Sequence, residues 1–398
     1  MNKYTVADVF AGAGGFSIGF QQAGIELALA IEIDSWACDT LRYNHPHTNV
    51  VTADITTLSD AELVSLMPVP LDVLIGGAPC QGFSVCNPSA GDPKDPRNSL
   101  FMEMVRCASV WKPRALVLEN VPGLLRRRTA TGQSVIDVIC SEFSNIGYSV
   151  SFRKLKATDF GVPQMRERVF VIGTRVAWPD VWPAATHSCA PNGNGRLFGE
   201  GLLTCPSLWD AISDLPVLGA GEGSEILSYN GSPHSGYQKL MRVGATAIYN
   251  HVAMKHTKRM VARFASMSCG ESVSDVPEEH RPHKRGDTGT KSDNAYDQNN
   301  RRMHPDRPCH TVPASFYANF VHPHQDRNFT PREGARIQSF PDCYRFMGKP
   351  TVVSQKLLAR ENRYDELHLC QYNQIGNAVP PLLAKAIAIG IRGFLDNE

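Results

Sequence analysis

The sequence predicts an α/β fold, a doubly wound parallel sheet with a second, smaller and loop-rich domain, and three observations carry that expectation. Between residues 4 and 178, apolar runs (TVADVF, ELALAIEI, LDVLIGGA, RALVLENV and RVFVIG) alternate with segments of helical pattern. Several of these runs end in Gly, Asp, Glu or Asn, at the strand ends where an open α/β sheet gathers its ligand. From about Trp182 to Arg302 the texture changes to stretches such as HSCAPNGNGRLFGEG and KRGDTGTKSDNAYDQNNRR, rich in Gly, Asn and Ser and without a clear period. The final NQIGNAVPPLLAKAIAIGIRGFL turns apolar again, with Pro380-Pro381 suited to a first helical turn, and is expected to pack back on the first domain.

Composition limits the function classes. With 398 residues, 42% of them hydrophobic, the chain has enough apolar material for one large or two modest domains, which excludes dominant disorder. Its 40 Lys+Arg against 39 Asp+Glu leave a net charge of +1, so any nucleic-acid binding must come from a local basic face. Lys255–Arg302 carries a mild basic excess, ten Lys/Arg against seven Asp/Glu, which alone reads as an ordinary solvated face. The N-terminus lacks an apolar signal core, and no run approaches the ~18 residues of a membrane span, so a soluble, non-secreted chain is expected. None of the 11 Cys falls in a C-x-x-C pair. Neither a disulfide framework nor a local zinc site is supported; reduced thiols are expected, one of them a possible nucleophile.

The candidate site is read strand by strand. The first strand enters Phe10-Ala11-Gly12-Ala13-Gly14-Gly15-Phe16, a turn where missing side chains at Gly12 and Gly14 let a ligand approach the backbone and a helix N-terminus. Alone, this is equally a tight turn. Ser17 stands where a dinucleotide fingerprint has its last glycine, which counts against a pyrophosphate ligand. The second strand ends in Glu32-Ile33-Asp34 and the third at Asp54-Ile55, acidic ends suited to ribose hydroxyls and thus to a nucleoside such as S-adenosylmethionine. The fourth delivers GGAPCQGFS and a Pro/Gly-rich stretch to Leu100. A lone Cys is usually a core filler, but Cys80, between Pro79 and Gln81 at a strand end, is the better nucleophile candidate; Cys86 competes without those neighbours. The fifth strand ends in Glu119-Asn120, where a carboxylate needs a partner or a task, and general acid is the sharper reading. In QMRER, alternation puts Arg166 and Arg168 on one face for an oxygen-bearing ligand; a surface ion pair with Glu167 is the alternative.

In this order DVFAGAGGF, EID, DI, GGAPCQGFS, ENVPGLL, VPQMRERVFVIG, RRMHPDRPCHTV with TPREGARIQSFPD, and YNQIGNAVPPLLA resemble the motif series of the DNA (cytosine-5) methyltransferases. The resemblance runs from Val6 to Ala384 and omits about Trp182 to Asn300. It implies a Rossmann-like, S-adenosylmethionine-dependent sheet in 1–181, completed by 365–398. It further implies a target-recognition domain in 182–347 and a charged, helical insertion in 348–370.

By that similarity Cys80 adds to carbon 6 of a flipped cytosine, Glu119 serves ring nitrogen 3 and Asn120 holds Glu119. Arg168 and Arg166 bind the base carbonyl, the Pro79 carbonyl accepts from the exocyclic amine, and Gln81 completes the catalytic set. On the cofactor side, Phe16 packs on adenine, Glu32 takes the ribose, Asp54 the adenine amine and Asn377 the methionine end, with Phe10, Gly12, Gly14, Ile33, Ile55 and Leu100 lining the site. No metal is implied. Two features depart from the family: the long connection Gly348–Gln374, and Ile33, where some relatives carry an aromatic. The implied partner is duplex DNA, with no membrane. The implied protein is a cytoplasmic, nucleoid-associated monomer whose cognate restriction endonuclease is a genetic and not a physical companion. Starting its first motif at residue 6, the chain is expected to be a stand-alone prokaryotic methylase. An RNA cytosine methyltransferase and a silent DNA-binding homologue are the alternatives, with a Cys-dependent dehydrogenase third.

Overall fold

The computed structural model describes residues 4–67, 69–78, 100–129, 131–177, 181–189, 201–283, 300–351, 355–363 and 366–398. The chain divides into two compact units, one of Met1–Gly161, Arg166–Thr204 and Ala378–Glu398, the other of Val162–Met165 and Cys205–Asn377.

In the first unit, β1 (Tyr4–Val9), β2 (Ile25–Glu32), β3 (Asn49–Thr52), β4 (Val73–Gly76), β5 (Ala115–Asn120), β6 (Ser149–Lys156) and β8 (Glu167–Thr174) form one seven-stranded sheet. The two-residue β7 (Gln164–Met165) belongs to the second unit. The sheet order is β3-β2-β1-β4-β5-β8-β6. The first five strands pair in parallel through α1 (Gly15–Gln22), α2 (Ser35–Asn44), α3 (Asp60–Leu66) and α4 (Phe101–Trp111), while α5 (Val135–Asn145) leads from β5 toward β6. Strand order reverses between β1 and β4, so their C-terminal ends open the crevice where such sheets hold ligands. Aliphatic β4 is buried throughout, and Glu119 is the one position of β5 that is not.

β8 runs antiparallel to both β5 and β6, so the sheet is parallel-dominated and not wholly parallel. A parallel return needs a crossover of about a dozen residues or more, usually helical. Only the segment 157–166 separates β6 from β8, and its helical part is the single turn Ala157–Phe160. Sequence periodicity did not single out β6: it is an edge strand, and SVSFRKLK is exposed at most positions. The C-terminal helix Pro381–Asn397 closes against α1 at Gly19, where an added Cβ would lie 2.4 Å from the Ala384 Cβ.

The second unit is built from short elements, among them the antiparallel ribbon Gly223–Leu227 with Ile248–Val252 and the helix Pro331–Ile337. All seven residues of that helix are buried, Arg332, Glu333 and Arg336 included. Arg327 grips Glu333 through two bonds of 2.8 and 2.7 Å. Arg336 holds Asp342 by two bonds and Asp214 at 3.0 Å, and Arg332 donates to the carbonyls of Tyr249, Pro341 and Tyr344. This unit therefore has an ionic as well as an apolar interior. Cys189 and Cys205 are disulfide-bonded, so the expectation of reduced thiols fails at these two, a bonding that C-x-x-C spacing could not reveal.

Candidate active site

The glycine turn is shaped by left-handed backbone. Gly12 and Gly14 have φ of 53° and 78°, and an added Cβ at Gly12 would meet nothing within 4 Å, so the turn presents open backbone. Phe10 sits at φ 62°, a conformation that costs a bulky residue about 1 kcal/mol or more and tends to mark functional turns. Glu32, the last residue of β2, reaches across: its Oε2 accepts from the Gly12 amide at 2.7 Å, and its Oε1 from those of Ile33 and Asp34, each at 2.9 Å. A carboxylate offers about four acceptor positions, so these three bonds leave room on Oε2 for an incoming hydroxyl. Burial raises the Glu32 carboxyl above its ordinary range, with the amides of Asp34 and Gly12 pulling the other way.

Other residues expected on this side fall at strand ends with different surroundings. Ile33 is 63% exposed, an apolar side chain open at the end of β2. Asp54 is exposed and caps the short turn Ile55–Thr57 through Thr56; Ile55 is in the core. Leu100 caps α4 and is half-buried. Asn377 ends the helix Gln371–Asn377 in the second unit and is exposed. Phe16 requires a correction. Its ring packs edge-on against Phe20 and Phe170 at 5.5 and 6.2 Å and is 3% exposed, so it has no free face for a purine. Phe10, on the turn itself, is the half-buried aromatic there.

The polar end of β5 converges on the start of the segment that carries Cys80. Asn120 donates from Nδ2 to the Ala78 carbonyl at 3.4 Å, and its Oδ1 accepts from the Val121 amide. An added Cβ on Gly77 would lie 3.4 Å from Glu119 Oε2, which sets that carboxylate over the end of β4. Pro79, Cys80 and Gln81 themselves lie outside the described residues. Glu119 pairs with Arg168, Nε to Oε1 at 2.7 Å, both side chains nearly buried. Arg166 is 1% exposed; burial and the Arg168 charge act against its cationic form, and Glu119 supports it. Burial likewise lowers Arg168, opposed by Glu119. The two guanidinium groups are thus gathered around one carboxylate. Glu167, the alternative partner, instead pairs with Lys154 at an exposed 2.9 Å contact. At such a strand end the carboxyl can exchange a proton with a ligand, and the two guanidinium groups can donate to a carbonyl oxygen and fix it in one place.

A family model for C-5 cytosine-specific DNA methylases matches residues 4–392. The chain belongs to that family. This DNA (cytosine-5) methyltransferase is 48% identical over 402 residues to the Type II methyltransferase M.DdeI of Desulfomicrobium norvegicum, a match covering 98% of the chain and 89% of that protein. It is 35% identical over 396 residues to M1.HphI of Haemophilus parahaemolyticus, covering 99% and 88%. Among solved structures, a prophage-encoded DNA modification methyltransferase of E. coli superposes with a TM-score of 0.72 at 26% identity, over 99% of this chain and all of that one. A DNMT2 variant of Spodoptera frugiperda shares the fold at 15% identity, with a TM-score of 0.55 over 98% and 100%. The dehydrogenase reading of the glycine turn is thereby set aside.

The sequence reading missed the Asp8–Ser17 pair. Ser17 donates its hydroxyl proton to Asp8 Oδ2, and burial with Glu32 nearby raises the Asp8 carboxyl to about 7 against that bond. The available signal was an acid inside the apolar run TVADVF, together with the serine noted only as a missing glycine.

Proposed function

We propose that the methyltransferase modifies carbon 5 of a specific cytosine in duplex DNA through a covalent adduct on Cys80, as the modification partner of a restriction endonuclease. The observation that carries this reading is the convergence of Glu119 and Asn120 on Gly77 and Ala78, immediately before Pro79-Cys80. S-adenosylmethionine, when bound, supplies the methyl group. The cradle of Gly12 and Glu32 suits its ribose, exposed Ile33 and half-buried Phe10 offer apolar faces to its adenine, and Asp54, Leu100 and Asn377 are assigned to the same site.

Carbon 5 of cytosine is a poor nucleophile within an intact ring. Addition of the Cys80 thiolate to carbon 6 moves the ring electrons toward carbon 5, while Glu119 meets the charge at nitrogen 3 with a proton or hydrogen bond. Arg168 and Arg166 hold the carbonyl oxygen, and the Pro79 carbonyl accepts from the amine. After methylation the carbon 5 proton leaves to a base and the thiolate is expelled, which restores the ring. The ring faces are covered in stacked DNA, so the base leaves the helix at a cost of roughly a few kcal/mol. The second unit, whose basic excess falls in Lys255–Arg302, is assigned to target recognition.

DNA with fluorine at carbon 5 of the target cytosine tests the mechanism. Addition and methylation proceed, but fluorine cannot leave as a cation, so an adduct stable to denaturing electrophoresis is expected, dependent on S-adenosylmethionine and mapping by mass spectrometry to Cys80. Methylation of ordinary DNA without such an adduct, or with one at another residue, would falsify the assignment. A second prediction concerns Glu32→Ala, which should weaken cofactor binding about 10–100-fold, the usual worth of charged hydrogen bonds. Its single-turnover rate at saturating cofactor should hold; a fall there would refute the ribose role.

A further inference from the structure

Asp54 is carried by a single helical turn, Ile55–Thr57, and one turn of helix has little stability of its own. Asp54 closes the turn at its start. Its Oδ1 accepts from the Thr56 amide at 3.0 Å and from the Thr56 hydroxyl at 2.8 Å, while Oδ2 takes part in no bond among the described residues. Oδ2 is therefore the oxygen left for a ligand. Where it points depends on how the turn is held.

Arg106 holds it from α4, the helix that begins directly after Leu100. Its Nη2 donates to the Ile55 carbonyl at 2.8 Å and its Nη1 to the Leu58 carbonyl at 2.9 Å, so the two donors straddle the turn. Nη1 also donates to Asp60 Oδ1 at 2.9 Å, and Nε to Glu103 Oε2 at 2.8 Å, three residues back on α4. Asp60 is 67% exposed, so that ion pair adds little to stability. What the two carboxylates provide is direction: they orient a planar fork whose other contacts are carbonyls 51 and 48 residues away. The docking of α3 on α4 does not rest on this fork alone, since Trp111 Nε1 donates to the Leu63 carbonyl at 2.8 Å and Leu63 and Met104 share the core.

We propose that Arg106 is a positioning residue of the cofactor site, clamping the Ile55–Thr57 turn so that the free oxygen of Asp54 meets the adenine amine of S-adenosylmethionine. The same clamp keeps that turn in register with Leu100, at the head of the helix that carries Arg106. In this role Arg106 touches no cofactor atom and acts through Asp54. The proposal rests on the cofactor assignment above, with Asp54 on the adenine amine. It accounts for a guanidinium whose donors are spent on the carbonyls of one short turn in preference to solvent.

A double-substitution cycle, read by calorimetric titration of the whole protein with S-adenosylmethionine, tests this. Arg106→Ala and Asp54→Ala should each weaken binding about tenfold, the usual worth of a charged hydrogen bond, and the two together also about tenfold and not about a hundredfold. In Arg106→Ala the KM for cofactor should rise while the single-turnover rate at saturating cofactor holds. Arg106→Lys keeps the charge without the fork; it should bind with intermediate affinity and takes the place of Arg106→Ala in the cycle if that variant does not fold. Arg114→Ala is the structural control. Arg114 is likewise bonded to two carboxylates, Asp72 and Glu398, and a carbonyl, Leu395, but it stands before β5, at the end of the sheet away from the turn. Its loss should leave cofactor affinity within about twofold. Additive losses in the double variant, unchanged affinity in Arg106→Ala, or an equal loss in Arg114→Ala overturns the Arg106 role alone. Unchanged affinity in Asp54→Ala removes the Asp54 assignment and this proposal with it, and absence of binding by the native chain overturns the cofactor assignment itself.

Discussion

Glu119→Gln is expected to lower the single-turnover rate of methyl transfer by about 10²–10⁴, the usual range for a general acid or base, while cofactor and DNA affinity stay within a few fold. The substitution preserves shape. A glutamine carbonyl can still accept from Arg168 Nε, now 2.7 Å from the carboxylate, and the Asn120 bond to the Ala78 carbonyl is untouched. What is lost is an acidic proton and a charge that balances two buried guanidinium groups. Quench-flow with saturating cofactor and duplex DNA measures the effect. A near-normal rate would mean that Glu119 only anchors Arg168, and that the pair is structural.

The framework of this site was legible because it sits at strand ends. An apolar run closing on Glu32 or Glu119 announces a carboxylate that burial will not tolerate without a partner, and the structure gives Glu32 the Gly12 amide and Glu119 the Arg168 guanidinium. Strand direction was not legible, since alternation is the same read either way; only the short link before β8 fixes it. Phe10 and Phe16 flank the same turn and look alike in sequence. What separates them is backbone: φ 62° holds Phe10 on the turn, whereas Phe16 begins α1 and is drawn into the core with Phe20 and Phe170. TPREGARIQSFPD was recognised as a motif, yet nothing in it announced that its arginines are interior, because charged residues are by default solvated. Their partners Asp214, Tyr249 and Tyr344 are distant in sequence or lie beyond the helix, so the enclosure exists only after folding.

Arg336→Ala is accordingly expected to destabilise the second unit by about 3–5 kcal/mol, the range for removing one partner of a buried ion pair. Arg336 is 0% exposed and binds Asp342 through two bonds, Asp214 at 3.0 Å and the Ala211 carbonyl at 2.7 Å. Its loss leaves carboxylates 0–1% exposed beside a cavity; Arg242 still holds Asp214, but Asp342 keeps only Arg332 at 3.7 Å and the Tyr229 hydroxyl. Burial pushes the Asp342 carboxyl up, but the Arg336 bond and charge, with Arg332 and Tyr229, hold it below its ordinary range. A depressed acid contributes stability above its unfolded pKa and loses it as pH falls through the folded one, so this contribution fades in acid and not near neutrality. Removing Arg336 should therefore lower the urea midpoint most at neutral pH, with less effect toward pH 3. The surface pair Arg42–Asp39, with side chains 47% and 53% exposed, supplies the contrast: Arg42→Ala should cost less than about 1 kcal/mol. Equal losses for the two substitutions would contradict the view that this helix is the ionic interior of its unit.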